Sequence, residues 1–375
     1  MTRVAVLHLV HHFAVPGIGG FVRVLLPHLD MHNYSWHVGA VSGRGTLQED
    51  FKSLGAQVVD FSDKQNGSKN SIRKIRDYVV ANRIRIVHSH SVRTTLAAGA
   101  ALAGKRQPIH LATEHLFYSP RDRRWGVAYT LLDRLSLYLP DYIVAISQRM
   151  YHQIIALPGL SPKRVTVIRT AVDCSAFDVP DQRDPCRSEF GLSLESPLIG
   201  YTGRIDIQKR LDLLLKGFSL VLDRHPQARL MIVGKGSLRS SLEKLTVSLG
   251  ISHAVIWTGF RQDIPRLLAA MDIYVLPSSN EGFAASMLEA MAAGKAVIVT
   301  DVGGAQDVVT DGRTGILIPP GSASAIGFAV NDLLEQPKKR VALAQAGRRR
   351  VLKEFGVQRM VDGYQNLYQS MTLEV

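Results

Sequence analysis

The stretch Asp272–Thr300, DIYVLPSSNEGFAASMLEAMAAGKAVIVT, decides how the chain folds. An apolar run rich in branched residues (272–277) leads through a polar loop into a segment that predicts a helix from near Ala284 through Met291. A second apolar run (296–300) follows. Strand, helix and strand at this spacing form a parallel crossover unit.

The same alternation continues on both sides. Upstream, 197–203, 228–234 and 254–259 read as strands, and downstream 315–319 does. Nearer the N-terminus the strands fall at 3–10, 84–90, 109–113, 141–146 and 164–168. A helix over 71–82 sets Ile72, Ile75 and Val79 on one face. Such alternation predicts mostly parallel sheets covered by helices on both sides. It stops at 169–187, where prolines and scattered acids leave no period, the signature of an interdomain connection. The chain therefore reads as α/β, with two doubly wound domains whose strand ends face a central cleft. The expected division is 1–184 for the first domain and 185–352 for the second. Residues 353–375 are expected to form a terminal helix returning to the first.

Composition narrows the class. The 375 residues are 46% apolar and 21% charged, as in a globular protein. The opening MTRVAVLHLVHH is too short an apolar run for a signal core, and no run approaches the ~20 residues of a membrane span. Cys174 and Cys186 are the two cysteines, too few for a disulfide framework or a zinc pattern. A cytoplasmic protein is expected. The net charge is +13, and between Lys64 and Arg134 there are 14 basic and 4 acidic residues. That imbalance fits an anionic partner such as lipid headgroups, a phosphorylated acceptor or nucleic acid, or else a solvated face that aids solubility.

Glu281 and Glu289 flank the start of the helix in the opening stretch. Backbone N–H groups of residues 282–286 at that helix end offer an anion site. Two acids about such a site suit an elongated ligand with phosphate in the middle and hydroxyl-bearing rings at its ends, the form of a nucleotide sugar. Read alone, the pair fits equally a capping charge and a solvated helix residue. GYTGRIDIQKR (200–210) adds Arg204 at a strand end and Lys209 at a helix start, two cations able to converge on a diphosphate.

With GRIDIQKRLDLLL, VGKGSLRSSLE and the run TGFRQDIPRLLAAMDIYVLPSSNEGFAASMLEAMAAGKAVIVTDVGGAQDVVTDGRTGILIPPGS, the chain resembles retaining glycosyltransferases of family 4 in the GT-B superfamily, the "glycosyl transferases group 1", from Ile199 to Ser322. The resemblance implies that Glu289 holds the donor ribose and that Glu281 meets hydroxyls of the transferred sugar. Arg204 and Lys209 would neutralise the departing diphosphate. Backbone amides of Gly282, Phe283, Ala284 and Ser286 would contact sugar and phosphate, with Gly259 and Arg261 bordering the base. Gly19 and Gly20, in the run Gly17–Gly20, match a glycine loop that approaches the diphosphate. The acid the family often carries just beyond that pair is absent here, where Phe21, Val22 and Arg23 follow.

His115 matches a histidine beside the reacting centre of the donor sugar. His88 and His90 stand on one strand face without an evident third metal ligand, and no Asp-x-Asp occurs, so no metal cofactor is expected. Segment 119–142 sets Arg121, Arg123, Arg124 and Trp125 before a helix carrying Tyr129, Leu132, Leu135 and Tyr138. That arrangement fits interfacial contact with a membrane as well as packing on the sheet. The expected activity is transfer of a sugar from a UDP- or GDP-sugar to a glycan or lipid-linked acceptor, at an anionic membrane surface. A sugar-nucleotide epimerase and a basic nucleic-acid-binding module are the rival readings, the second lacking any aromatic–basic RNA motif.

Overall fold

In the computed structural model the described residues are 3–13, 18–43, 45–63, 67–104, 107–116, 126–178 and 182–373, excluding the side chains of 67–69. They form two compact units, one of residues 1–169 with 357–375 and the other of 170–356.

The first unit is built on strands β1 (Val4–Val10), β2 (Tyr34–Ala40), β3 (Gln57–Asp60), β4 (Ile84–Ser89), β5 (Ile109–Glu114), β6 (Tyr142–Ala145) and β7 (Val165–Val167). They pair in parallel in the order β3-β2-β1-β4-β5-β6-β7. Strand sides alternate. Ala5, Leu7, Leu9 and Val87 face a core shared with Ile75, Val79, Ala98 and Ala101 of the helices Gly67–Ala81 and Val92–Leu102. His8 and His88, partners in register, face the other way. That side is covered in part by the terminal helix Val357–Leu373, whose Tyr364 and Tyr368 are wholly buried.

The second unit has β8 (Leu198–Thr202), β9 (Arg229–Val233), β10 (Val255–Gly259), β11 (Ile273–Leu276), β12 (Ala296–Thr300) and β13 (Ile316–Ile318), parallel in the order β10-β9-β8-β11-β12-β13. In each sheet the order reverses at one place, between β1 and β4 and between β8 and β11. Ligands of doubly wound sheets bind beyond the carboxyl ends of strands at such a reversal.

Strands β2 and β3 have no counterpart in the sequence reading. YSWHVGA mixes serine, histidine and glycine with its apolar residues, and QVVD is a short, half-exposed edge strand. The expected linker, 169–187, also differs. A helix begins inside it, at Arg183; its buried residues are Cys186 and the polar Arg187, which make no apolar period.

Candidate functional site

The loop after β8 turns at Gly203, whose φ of 151° favours glycine. A single helical turn follows at Ile207–Lys209, capped by the Asp206 carboxylate, which accepts from the Lys209 N–H at 3.3 Å. Arg210 then adopts a left-handed conformation and clamps Asp212 with two 3.0 Å hydrogen bonds, a local structural role. Gln208 fastens this loop to the one after β11. Its Nε2 donates to the Asn280 carbonyl at 2.6 Å, and its own carbonyl accepts from Ser279 N–H at 2.8 Å.

The fastening brings Lys209 Nζ onto Glu281 Oε1, which also accepts from Ser278 Oγ at 2.6 Å. Both members of the ion pair are largely covered. Arg204 stays more open, 3.1 Å from Asp206, while its carbonyl accepts from the buried Tyr201 hydroxyl at 2.7 Å. Arg204, Lys209 and Glu281 therefore lie on the two loops at the β8/β11 reversal. Ser278 and Gln208 complete the arrangement; in sequence they read as ordinary loop polars.

The helix after Glu281 runs Ala285–Ala292, as the sequence predicts, so Glu289 is its fifth residue, little more than one turn in. The start is fixed locally. Gly282 carbonyl accepts from Gly304 N–H at 3.0 Å, and a Cβ at Gly303 would lie 1.7 Å from the Glu281 carbonyl. Residues 282–284 are thus held against the 303–304 loop. Ala284 at the cap position has no side-chain acceptor to offer; its carbonyl takes the Met287 N–H at 3.0 Å, leaving the Ala285 and Ser286 amides for a ligand. The Phe283 ring is buried, 5.9 Å from that of Phe355, so its backbone is what remains for recognition. Ser286 hydrogen-bonds the buried Tyr274 hydroxyl. Burial raises the Glu289 carboxyl to about 7.

Gly259 ends β10 with φ 73°, and its carbonyl accepts from Gly234 N–H at 2.8 Å. Arg261 is not brought to the Lys209–Glu281 group. Its guanidinium grips Asp263 at 2.7 and 2.8 Å and Glu189 at 3.1 Å, within a network that also holds Arg266. The Asp263 carboxylate falls to about 2, hydrogen-bonding to Arg261 being the main cause.

In the first unit, Gly19 and Gly20 lie in the first turn of the helix Ile18–Leu25, and Gly17 lies outside the described residues. His115 follows β5 and is partly covered, with the Phe21 ring edge-on at 4.8 Å. Burial lowers it to about 4. His88 is a satisfied interior histidine, bonded at 2.7 Å to both Tyr368 and Thr113. His8 joins the pair expected on β4. His8, His88 and His90 are the group among the described residues whose ligand atoms lie within 4.8 Å of one another, and each ring is already engaged in hydrogen bonds. Position 8 alternates into the interior of an apolar strand, which was the available sequence signal.

Arg121, Arg123, Arg124 and Trp125 lie outside the described residues. The helix that follows, Gly126–Ser136, exposes Val127, Leu131, Leu132 and Leu135, continued by Tyr138 and Leu139. No described helix is long and apolar enough to cross a membrane.

Two family models match the chain. "Glycosyl transferases group 1" covers residues 182–350 and "Glycosyltransferase Family 4" covers 15–176. Each model covers just under half of the chain, and the chain has the GT-B fold. Its fold is that of Anabaena Alr3699/HepE, whose crystal structure holds UDP-glucose. The TM-score is 0.87 at 20% identity, over 98% of this chain and 100% of that one. It is 26% identical over 242 residues to a Methanocaldococcus jannaschii protein described as uncharacterized glycosyltransferase MJ1607, matching 63% of this chain and 62% of that protein. It is 32% identical over 247 residues to the D-inositol 3-phosphate glycosyltransferase of Thermomonospora curvata, matching 61% of this chain and 56% of that protein. The matched region thus spans about three fifths of these relatives.

Proposed function

We propose that this GT-B chain is a retaining glycosyltransferase of family 4 that moves a sugar from a nucleoside-diphosphate sugar to an acceptor hydroxyl. The observation that carries the reading is the Lys209–Glu281–Ser278 cluster on two adjacent strand-end loops, next to a helix N-terminus without a side-chain cap. In this reading the diphosphate lies among Arg204, Lys209 and the first-turn amides near Ser286, and Glu281 meets hydroxyls of the sugar. Glu289 accepts from the ribose diol. Bond breaking between the anomeric carbon and the diphosphate oxygen places negative charge where the two cations stand. The acceptor oxygen attacks from the same face, and its proton passes to the departing phosphate oxygen, so no side-chain base is needed. His115 stands beside the reacting sugar, and Glu281 with the amides stabilises its oxocarbenium-like state.

The acceptor is anionic or tethered to a membrane, as in lipid-linked or lipopolysaccharide-type glycan synthesis at the cytoplasmic face. Support comes from the basic excess between Lys64 and Arg134 and from the bare apolar face of Gly126–Ser136. The phosphorylated acceptor named for the Thermomonospora relative has the same charge. A panel of UDP- and GDP-sugars screened by thermal shift identifies the donor, because ligand that binds the folded state raises Tm by mass action. NMR of the product then reads the anomer. Retained configuration in an acceptor-dependent product supports the proposal; release of an altered sugar without acceptor indicates epimerisation instead. No stabilisation by any sugar nucleotide removes the reading altogether.

A further inference from the structure

Six hydrogen bonds join seven side chains of the first unit in single file. His115 Nε2 meets His90 Nδ1 at 3.3 Å, His90 Nε2 meets His8 Nδ1 at 3.0 Å, and His8 Nε2 meets the Tyr368 hydroxyl at 3.4 Å. That hydroxyl also meets His88 Nδ1 at 2.7 Å. His88 Nε2 meets Thr113 Oγ1 at 2.7 Å, and Thr113 Oγ1 meets the Tyr364 hydroxyl at 3.0 Å. All but His115 are fully buried, at the β1/β4 reversal.

Burial keeps the four imidazoles neutral, holding His8 at about 3 and His115 at about 4, with His88 and His90 also well below the usual range. A neutral imidazole has one N–H and one bare nitrogen, so a ring that accepts on one side donates on the other. A hydroxyl with two such neighbours passes the direction on by accepting from one and donating to the other. The orientation chosen at one end therefore reaches the other end.

Two orientations exist. In the first, protons point from His115 toward Tyr364, and the last O–H is buried without an acceptor: among the described residues the Tyr364 hydroxyl has Thr113 as its partner. An unmet buried donor bears its full desolvation cost. In the second, Tyr364 donates to Thr113, Thr113 to His88, His88 to Tyr368 and Tyr368 to His8. His8 Nδ1–H then donates to His90, and His90 Nδ1–H to His115 Nε2. Every buried hydrogen finds an acceptor.

We propose that this file fixes the proton of His115 on Nδ1 and makes its ring a hydrogen-bond donor, not a base, toward an oxygen of the bound substrate. His90, His8 and Tyr368 are positioning residues that act through His115. Their effect on turnover rests on the placement of His115 beside the reacting sugar; the tautomer itself does not.

The test is long-range ¹H–¹⁵N correlation of the histidine rings in the full chain labelled with ¹⁵N-histidine, near neutral pH. The wild type is expected to show His115 protonated on Nδ1 with a bare Nε2. In Tyr368→Phe the file is cut two rings away from His115, and the His115 signals move toward a tautomer mixture. Tyr364→Phe leaves Thr113 as the first donor to His88, so the direction of the file and the His115 signals are expected to persist there. A wild-type His115 protonated on Nε2 overturns the proposal, whether or not either variant folds. So does a His115 pattern unaltered in a folded Tyr368→Phe protein. With the donor identified, kcat of that variant is expected to fall about ten- to a hundredfold with donor KM unchanged. An altered tautomer with unchanged kcat supports the file and instead removes His115 from the reaction.

Discussion

Lys209 and Glu281 form an ion pair whose side chains are 13% and 11% exposed, and Ser278 is bonded to the same carboxylate oxygen. Each charge holds the other in place. In the proposed site a bound donor would offer Lys209 a second anion and Glu281 a row of hydroxyls, and the pair would be shared with it. Lys209→Ala should cost about 2–4 kcal/mol of transition-state stabilisation, the scale of one electrostatic donor. Arg204→Ala should lose a similar amount. Because Lys209→Ala also strands a covered carboxylate, it should lower folding stability by about 3 kcal/mol, which the open Arg204 should not. Steady-state kinetics with denaturant unfolding separate the two effects; equal stability loss in both variants would contradict this account. Glu281→Gln should lower kcat more than it raises donor KM.

Glu289 gives a pH signature. Its carboxyl is raised to about 7 by burial. In the proposed site the ionised form would accept from two ribose hydroxyls, so binding would favour loss of the proton. Donor affinity should therefore rise with pH through about 7, with proton release on binding. Calorimetry in buffers of different ionisation heat reads that proton. For stability the sign is opposite. A carboxyl raised in the folded state stabilises most below its unfolded value of about 4.5, and that contribution is lost as pH rises through about 7. Glu289→Gln should thus gain Tm relative to wild type at pH above 7, and not in mild acid. A Tm difference independent of pH would show that Glu289 is not the titrating group.

Arg187 has no exposed side-chain surface. It donates to the carbonyls of Ala270, Ser193, Leu194 and Ser196 and pairs with Asp272 at 2.7 Å, which also accepts from Leu198 N–H at 2.8 Å. These contacts tie together the starts of β8 and β11, the strands whose far ends carry Arg204 and Glu281. Arg187→Ala leaves several buried carbonyls unmet and takes one of two arginines from Asp272, which Arg183 still pairs at 2.8 Å, and should cost about 3 kcal/mol in urea unfolding. Arg187→Lys should recover a small part, since an ammonium cannot reach that fan of carbonyls. Full stability in either variant would refute the anchoring role.

The sequence was legible where apolar period and loop chemistry coincide. Eleven of the strands announce themselves by branched apolar runs, and the loops after β8 and β11 carry their charges in the open. What stayed hidden depends on partners far along the chain. Arg187 is a core residue only because carbonyls and Asp272 surround it. Arg261 looked available to a ligand until Glu189 and Asp263 occupied its fork. His8, His90, Tyr364 and Tyr368 resemble interruptions or fillers of apolar segments until β1, β4 and the terminal helix stack them. Strand order, which makes two loops neighbours, has no local signal at all.

The helix Gly126–Ser136 carries the last prediction. Val127, Leu131 and Leu135 repeat every four residues and are 74%, 58% and 52% exposed, with Leu139 continuing the stripe. Ordinary packing on the sheet would have covered that face. The adjoining sequence holds Arg121, Arg123 and Arg124, and each cation near an anionic bilayer contributes about 1 kcal/mol. Apolar residues flanked by bases suit shallow insertion at an interface, without a spanning helix. Vesicle co-sedimentation of the full chain should rise with anionic lipid content and fall with salt. Leu131→Asp with Leu135→Asp should weaken binding to anionic vesicles, while donor binding by thermal shift stays unchanged, since neither residue lies in the unit that carries Glu281. Neutralising the three arginines should weaken attachment further and flatten its salt dependence. Equal recovery in the supernatant with neutral and anionic vesicles at low salt would refute the membrane contact and leave a soluble anionic acceptor for the basic region.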